Sequence, residues 1–156
     1  MTLGATTMWE RWNGWTPDKG FADSGMNSFN HYAFGAVGEW LYSRVAGIRP
    51  ETPGFSRIRI EPVPGGGLTS ARMAYQSIRG PIISSWRVEG DSFLLDVEIP
   101  ANTTATVCIP TGDAASVTEG GKPLEEAGIS VETILDGSIL CRLGSGTYQF
   151  QALARK

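Results

Sequence analysis

The chain has 156 residues, which is enough for one full domain or for a small domain with part of a second. Its 13 basic and 16 acidic residues give a net charge of −3 without a basic stripe, so we expect no nucleic-acid partner. A charged fraction of 19% together with 20 glycines is typical of short strands joined by tight turns, and it argues against a disordered chain. No apolar run is long enough to span a membrane, so we expect no membrane partner.

Two further features bear on the cellular compartment. Residues 1–4 lack the basic region and the apolar core of a signal peptide, although this is informative only if Met1 is the natural start. The compartment therefore stays open, with the cytoplasm favoured over secretion. Cys108 and Cys141 lie far apart in apolar surroundings and without metal-ligand spacing, so we expect buried free thiols, no metal and no cofactor, with a disulfide as the alternative.

The first distinctive stretch lies between residues 4 and 31. Trp9 and Trp12 flank a single carboxylate, Glu10, and the only histidine of the chain, His31, closes the stretch. Indole faces stack on the apolar faces of pyranose rings, and a fixed carboxylate can accept a proton or activate water. The composition of this stretch therefore indicates a site that cleaves sugars.

The same residues also allow a purely structural interpretation. With Trp15, the tryptophans recur every third residue, which is also the pattern of a buried amphipathic turn. A buried Glu10 would then need a charged partner, such as Arg11 or Lys19. In this interpretation His31 would cap its own helix or pack in the core.

A single long helix is predicted over residues 28–46, with Ser28 as N-cap and Gly47 as the C′ residue. The preceding residues are rich in glycine, so we expect mostly loop there, with a short helix or turn at 5–12. The long helix is apolar around most of its circumference, yet the chain offers no other long helix to cover it. We therefore expect its partners upstream of Met1, in a larger helical domain.

After this helix the pattern changes to strands. Pro50 and Pro53 prevent helix continuation, so residues 47–54 are interpreted as a joint. From Phe55 onward polar and apolar residues alternate between frequent turns, which favours an antiparallel β-sandwich of the Greek-key or jelly-roll type. The predicted strands are 56–61, 68–78, 82–88, 92–99, 103–109, 116–118, 129–135, 138–143 and 147–152.

Several of these motifs resemble the C-terminal part of bacterial-type α-L-rhamnosidases, namely TTMWERWNGW, SFNHYAFGAVGEWLY, PGF and PGGGLTSA. These enzymes are inverting glycoside hydrolases that join an α/α six-hairpin barrel to a C-terminal β-sandwich. The resemblance implies that the fold is mainly β, with a loop and one long helix from the end of the barrel. It implies domain bounds of 1–49 for the barrel end, 50–54 for a linker and 55–156 for the sandwich.

The resemblance also implies roles for four residues. Glu10 falls where the family has its general base, and His31 falls where the family has a histidine that hydrogen-bonds the bound rhamnose. Trp9 and Trp12 lie beside the base, so they are candidates for lining the sugar pocket. The implied partners are a rhamnose-containing glycoside and the upstream catalytic barrel of the same polypeptide.

Inverting hydrolysis requires a second carboxyl group as general acid. The family carries that acid on earlier barrel helices, which this chain lacks. Asp18 and Asp23 are the nearest carboxylates, and their neighbours mark them as turn residues. We therefore expect the isolated chain to be inactive and the full enzyme to release terminal α-L-rhamnose. The rival hypothesis is a non-catalytic β-sandwich module that binds carbohydrate or is purely structural.

Overall fold

The structure, a computed structural model, describes residues 4–154 as two compact units. The N-terminal unit ends at Trp40, and the second unit, called the sandwich unit below, begins at Leu41. The domain bounds predicted from the sequence, with a linker at 50–54, stay a prediction.

Loops dominate the start of the N-terminal unit. Residues 5–11 are extended with bends, and a turn follows at Trp12 and Asn13, so the helical alternative for residues 5–12 is wrong. A short antiparallel hairpin comes next, formed by β1 (Trp15–Thr16) and β2 (Gly20–Phe21). The glycines and Pro17 explain why no regular helix forms here.

The predicted long helix begins later than expected and is irregular. Within the N-terminal unit it consists of a 3₁₀ segment, Tyr32–Ala36, followed by one α-helical turn, α1 (Val37–Trp40). Gly35 and Gly38 explain the irregularity, because each lowers helix propensity by about 1 kcal/mol relative to alanine.

Ser28 is not the helix N-cap that the sequence suggested. Its backbone is instead hydrogen-bonded to Glu10 in a neighbouring segment, so the helix cannot begin there. His31 occupies the N-cap position without a capping side-chain hydrogen bond. The tertiary contact has therefore overridden the local capping signal.

The apolar residues of this short helix are largely exposed. Tyr32 is 90% exposed, Phe34 47%, Val37 56% and Trp40 53%. Burying such side chains contributes about 1.5–3 kcal/mol each, so leaving four of them in water forgoes much stability.

The sandwich unit opens with a π-helical segment, Leu41–Val45. Gly47 follows with a φ of +78°, which is the left-handed conformation predicted for the C′ residue. Within residues 47–54, which the sequence predicts as a joint, Ile48–Pro50 forms an edge strand. Pro50 is tolerated there because an edge strand leaves one side of its backbone unpaired.

The remaining strands agree with the predicted ones to within a few residues, apart from Lys122–Pro123, which was not predicted. In chain order the strands of the sandwich unit are β3 (Ile48–Pro50), β4 (Arg57–Ile60), β5 (Ser70–Ser77), β6 (Gly80–Glu89), β7 (Ser92–Ile99), β8 (Thr104–Ile109), β9 (Thr118–Glu119), β10 (Lys122–Pro123), β11 (Val131–Leu135), β12 (Ser138–Leu143) and β13 (Gly146–Leu153). Short 3₁₀ segments occur at Ser24–Met26, Pro53–Phe55 and Ala114–Ser116.

These strands form two sheets, of order β10-β9-β13-β7-β6-β5 and β11-β12-β8-β4-β3. All pairs are antiparallel except β4 with β8, which run parallel, with Ile58 opposite Ala105. The fold is therefore mainly β, as predicted, with one parallel pair in an otherwise antiparallel sandwich.

Alternating residues of both sheets meet in one core. On β6 and β7 the inward side chains include Trp86, Phe93, Leu95 and Val97, each at most 2% exposed. Trp86 and Phe93 are thus buried aromatic residues of this core, whereas Tyr75 on β5 is 37% exposed. Trp86 also donates from Nε1 to the carbonyl oxygen of Val45 at 2.7 Å, which pairs a polar group inside the core.

None of the helices within residues 4–154 has the length and apolar content needed to cross a bilayer.

Candidate active site

Two extended segments of the N-terminal unit lie side by side and build the site. The amide of Glu10 donates to the carbonyl oxygen of Ser28 at 2.8 Å, and the amide of His31 donates to that of Met8 at 2.8 Å. The hydroxyl of Thr7 donates to the carbonyl oxygen of Phe29. These bonds bring Glu10 and His31, which are 21 residues apart in sequence, into one local structure.

The Glu10 carboxylate is held on one oxygen. Its Oε2 accepts a hydrogen bond from the backbone amide of Ser28 at 2.9 Å, and Nδ1 of His31 lies 3.9 Å from the same oxygen. The side chain is 19% exposed. Oε1 accepts no hydrogen bond from residues 4–154, so that oxygen stays available to take a proton.

His31 lies between the carboxylate and an aromatic ring. Its ring centroid is 4.9 Å from that of Phe34, and its backbone amide is already engaged by Met8. His31 stands at the N-cap position of the 3₁₀ segment Tyr32–Ala36, but its side chain makes no capping hydrogen bond. The imidazole and the Glu10 carboxylate are therefore neighbours in the candidate site, with Nδ1 3.9 Å from Oε2.

The indoles beside Glu10 differ in exposure. Trp9 is half-buried and makes an edge-to-face contact with Phe29 at 4.7 Å, which fixes its ring. Trp12 is 56% exposed, and its centroid lies 6.3 Å from that of Trp9. An exposed indole supported by a packed one can stack on a sugar face, and the buried amphipathic turn considered from the sequence is not what forms.

The ion pairs considered for Glu10 from the sequence do not form within residues 4–154. Neither Arg11 nor Lys19 forms a salt bridge with it in the part of the chain that the structure describes. Asp23 caps the 3₁₀ segment Ser24–Met26, since its Oδ1 accepts from the Gly25 amide at 2.9 Å. Its interpretation as a turn residue is confirmed.

Two residues of the site were missed from the sequence. The side-chain amide of Asn27 donates to the carbonyl oxygen of Gly14 at 2.9 Å, and Asn27 directly precedes Ser28, whose amide binds Glu10. An Asn next to a predicted N-cap gives no signal of its own, because its partner is 13 residues away.

Across residues 4–154, no group of three or more His, Cys, Asp or Glu side chains is arranged to hold a metal ion.

Two family models match consecutive parts of the chain. Residues 1–45 match the bacterial alpha-L-rhamnosidase 6 hairpin glycosidase domain, and residues 47–123 match the bacterial alpha-L-rhamnosidase C-terminal domain. The chain belongs to the bacterial α-L-rhamnosidase family. This rhamnosidase segment carries the junction between the two domains.

Relatives and solved structures agree with the assignment to rhamnosidases. An alpha-L-rhamnosidase of Streptomyces avermitilis is 43% identical over 149 residues, covering 94% of this chain and 14% of the relative. One from Formosa agariphila is 40% identical over 151 residues, covering 96% and 16%. The chain thus spans about one seventh of the length of the first relative.

Among solved structures, the alpha-L-rhamnosidase of Streptomyces avermitilis complexed with L-rhamnose superposes with a TM-score of 0.79 at 41% identity, covering 96% of this chain and 14% of that chain. The alpha-L-rhamnosidase from Dictyoglumus thermophilum gives a TM-score of 0.77 at 32% identity, covering 97% and 16%. The rhamnosidase fold therefore extends over nearly the whole of this segment.

Proposed function

We propose that this segment supplies the general base to a longer α-L-rhamnosidase that releases terminal α-L-rhamnose from a glycoside by single-step inversion. Residues 1–49 are the end of its barrel domain, 50–54 the linker and 55–156 the C-terminal sandwich. The remainder of the barrel is the partner of this segment within the same polypeptide.

The observation that carries the proposal is the state of the Glu10 carboxylate. One oxygen is anchored by the Ser28 amide at 2.9 Å, the other is not hydrogen-bonded by residues 4–154, and indoles flank the group. A carboxylate fixed on one oxygen is oriented, and the second oxygen can remove a proton from water.

The chemistry requires two carboxyl groups. As water attacks the anomeric carbon, Glu10 takes its proton, while a general acid about 6.5–9.5 Å away protonates the leaving oxygen. The bond from the anomeric carbon to the aglycone oxygen breaks, and rhamnose leaves with inverted configuration. This acid comes from barrel helices outside the present residues.

His31, Trp9 and Trp12 bind the sugar in this proposal. The imidazole can donate to one rhamnose hydroxyl and accept from another, and the 3.9 Å distance between its Nδ1 and Oε2 of Glu10 supports a role next to the base. Trp12, being exposed, provides a stacking face for the pyranose, and Trp9 supports it.

The exposed helix explains why the segment needs the rest of the barrel. Phe34, Val37 and Trp40 are each about half exposed, although such side chains are normally buried. Packing the upstream helices of the same polypeptide on this face would cover them. The greater length of the rhamnosidase relatives is consistent with this.

The test compares three proteins on p-nitrophenyl α-L-rhamnoside: the full-length enzyme, its Glu10→Gln variant, and residues 1–156 alone. We expect full turnover only by the first, a kcat lowered by about 10²–10⁴-fold or more for Glu10→Gln, and none by residues 1–156 alone. Proton NMR of the first-formed sugar should show the β anomer. Clear turnover by residues 1–156, or an unaffected Glu10→Gln enzyme, would refute the proposal.

A further inference from the structure

We propose that Asn27 is a positioning residue for Glu10. Its side-chain amide donates a hydrogen bond to the carbonyl oxygen of Gly14, called the clasp below, and this bond holds the Ser28 amide against the carboxylate. Asn27 need not touch the substrate in this role. The inference rests on the proposed function, because it assigns to Asn27 an effect on the general base.

The clasp closes a loop of the N-terminal unit. Nδ2 of Asn27 donates to the carbonyl oxygen of Gly14 at 2.9 Å, and the same oxygen accepts from the amide of Ala22 at 2.8 Å. The amide of Gly14 in turn donates to the carbonyl oxygen of Arg11 at 3.0 Å. The bond from Asn27 joins the start and the end of the loop between residues 14 and 27 at one backbone position, and Gly14 is buried there.

The contact is tight enough to require glycine. A Cβ atom on Gly14 would lie 2.1 Å from Oδ1 of Asn27 and 3.1 Å from the carbonyl oxygen of Arg11. The φ of Gly14 is not in the left-handed region, so the requirement comes from space and not from backbone conformation. Any side chain at position 14 would therefore push the Asn27 amide away.

The side-chain oxygen of Asn27, Oδ1, contributes little to the stability of the fold. It is buried and has no hydrogen-bond partner among the described residues. An unpaired buried acceptor costs about 1–3 kcal/mol, so the side chain is a poor choice for stability alone. Holding a neighbouring group in a fixed position is a reason to tolerate that cost.

The neighbouring group is the amide that binds the base. Asn27 directly precedes Ser28, whose N–H donates to Oε2 of Glu10 at 2.9 Å, and Gly14 follows Glu10 by four residues. The clasp therefore restrains the donor and the carboxylate relative to each other. Without it, the Ser28 amide is held only by the hydrogen bonds between the two extended segments, and a displacement of about 1 Å in a reacting group can cost about 10²-fold in rate.

The main variant is Asn27→Asp in the full-length enzyme, since aspartate keeps the shape but cannot donate to the Gly14 carbonyl when ionised. The matched control is Asn13→Asp, because Asn13 is exposed in the same loop and makes no side-chain hydrogen bond within residues 4–154. We expect Asn27→Asp to lower kcat by about 10–100-fold with KM changed by about twofold at most. The Asn13→Asp enzyme should match the wild type in both constants.

Sodium azide gives a readout that general destabilisation would not move. The azide anion carries no proton, so it attacks the anomeric carbon without a general base. A carbon–nitrogen bond forms, the bond to the nitrophenol oxygen breaks, and the enzyme's general acid protonates that oxygen, yielding β-rhamnosyl azide. Azide should raise kcat of both Glu10→Ala and Asn27→Asp by about tenfold and should leave the wild type and Asn13→Asp unchanged.

Gly14→Ala perturbs the same contact from its other partner, and it substitutes for Asn27→Asp if that variant does not fold. In the double variant Gly14→Ala with Asn27→Ala, the clash with Oδ1 of Asn27 is gone and only the 3.1 Å contact with the Arg11 carbonyl oxygen remains, so we expect a kcat close to that of Asn27→Ala alone rather than the product of two losses.

The outcomes separate this inference from the proposed function. If Asn27→Asp and Asn27→Ala keep kcat within about twofold of wild type while Glu10→Gln loses it, the positioning role is wrong and the general base stands. A loss of kcat in Asn27→Asp that azide does not restore would also overturn the positioning role. An active Glu10→Gln enzyme would instead remove the proposed function on which it rests.

Discussion

Two hydrogen bonds of opposite direction join Glu10 to Ser28. The amide of Glu10 donates to the carbonyl oxygen of Ser28 at 2.8 Å, and the amide of Ser28 donates to Oε2 of Glu10 at 2.9 Å. The first bond involves only backbone atoms and would survive any change of the Glu10 side chain. The second depends on the carboxylate, so the acceptor role of the side chain and its proposed role as base can be separated.

Glu10→Gln should separate them. The amide oxygen of glutamine can still accept from Ser28, whereas glutamine cannot take a proton from water. We expect the free energy of unfolding of the full-length enzyme to change by about 0.5 kcal/mol or less, while kcat falls as described above. Glu10→Ala, which removes the acceptor, should cost about 1–2 kcal/mol in urea unfolding. Equal destabilisation by both variants would show that charge, and not the hydrogen bond, holds the segment.

Gly47 gives a prediction for the sandwich unit. Its φ is +78°, and a Cβ atom there would lie 2.1 Å from the carbonyl carbon of Glu61. Gly47→Ala should therefore cost about 3 kcal/mol or more, because backbone strain and a backbone clash combine. The matched control is Gly90→Ala, at φ +60° with nothing within 4 Å of its Cβ, for which we expect about 1–2 kcal/mol. Urea unfolding monitored by far-ultraviolet circular dichroism compares them, and equal losses would contradict the clash.

The strands of the sandwich could be predicted because their signal is local. Alternation of polar and apolar residues, with turns between, located most strands to within a few residues. β3 (Ile48–Pro50) was missed because two prolines usually mark a joint, and its pairing with β4 is decided by tertiary contacts. The parallel pairing of Ile58 with Ala105 likewise leaves no mark in the sequence.

The site was predictable only where residue type carries chemistry. A carboxylate among indoles and a lone histidine led to the prediction of Glu10 and His31 as site residues. In the structure Nδ1 of His31 lies 3.9 Å from Oε2 of Glu10. The Ser28 amide and the Asn27 clasp could not be predicted, since backbone donors have no residue type and the clasp spans 13 residues. The prediction of the helix start at Ser28 was wrong for the same reason. Ser28 is a residue type that caps helices, but its carbonyl oxygen accepts a hydrogen bond from the Glu10 amide.

The two cysteines should be inert in the folded chain. Burial raises the pKa of the Cys108 and Cys141 thiols to about 11, so little thiolate exists near neutral pH. They lie on paired strands but in different register positions, Cys108 opposite Leu140 and Cys141 opposite Val107, which places them on opposite faces of the sheet and excludes a disulfide.

A disulfide-exchange reagent such as DTNB checks this. We expect no labelling of the native chain over the time in which a small-molecule thiol reacts completely, and labelling of both cysteines in concentrated guanidinium chloride. Rapid labelling of the native chain would show that this part of the sheet opens. Labelling of neither cysteine after unfolding would show that they are already oxidised.

An ion cluster on the five-stranded sheet gives a pH dependence whose sign can be worked out. Nε of Arg59 donates to Oε2 of Glu61 at 2.9 Å, and this hydrogen bond holds the pKa of Glu61 below its ordinary range. The folded state therefore binds fewer protons than the unfolded state, so the pair stabilises above the unfolded pKa of about 4.3 and its contribution is lost as pH falls through the lower folded pKa.

Glu61→Gln should accordingly lower the free energy of unfolding by about 0.5–1 kcal/mol near neutral pH, since the pair is partly exposed. The variant and the wild type should converge as the pH falls from neutral to below the folded pKa of Glu61, where Glu61 is protonated in both states. Urea unfolding across that range measures the difference. The control is Glu132→Gln, whose partner Arg142 is 66% exposed, so its loss near neutral pH should be smaller. A difference for Glu61→Gln that persists unchanged in acid would show that its packing, and not its charge, is responsible.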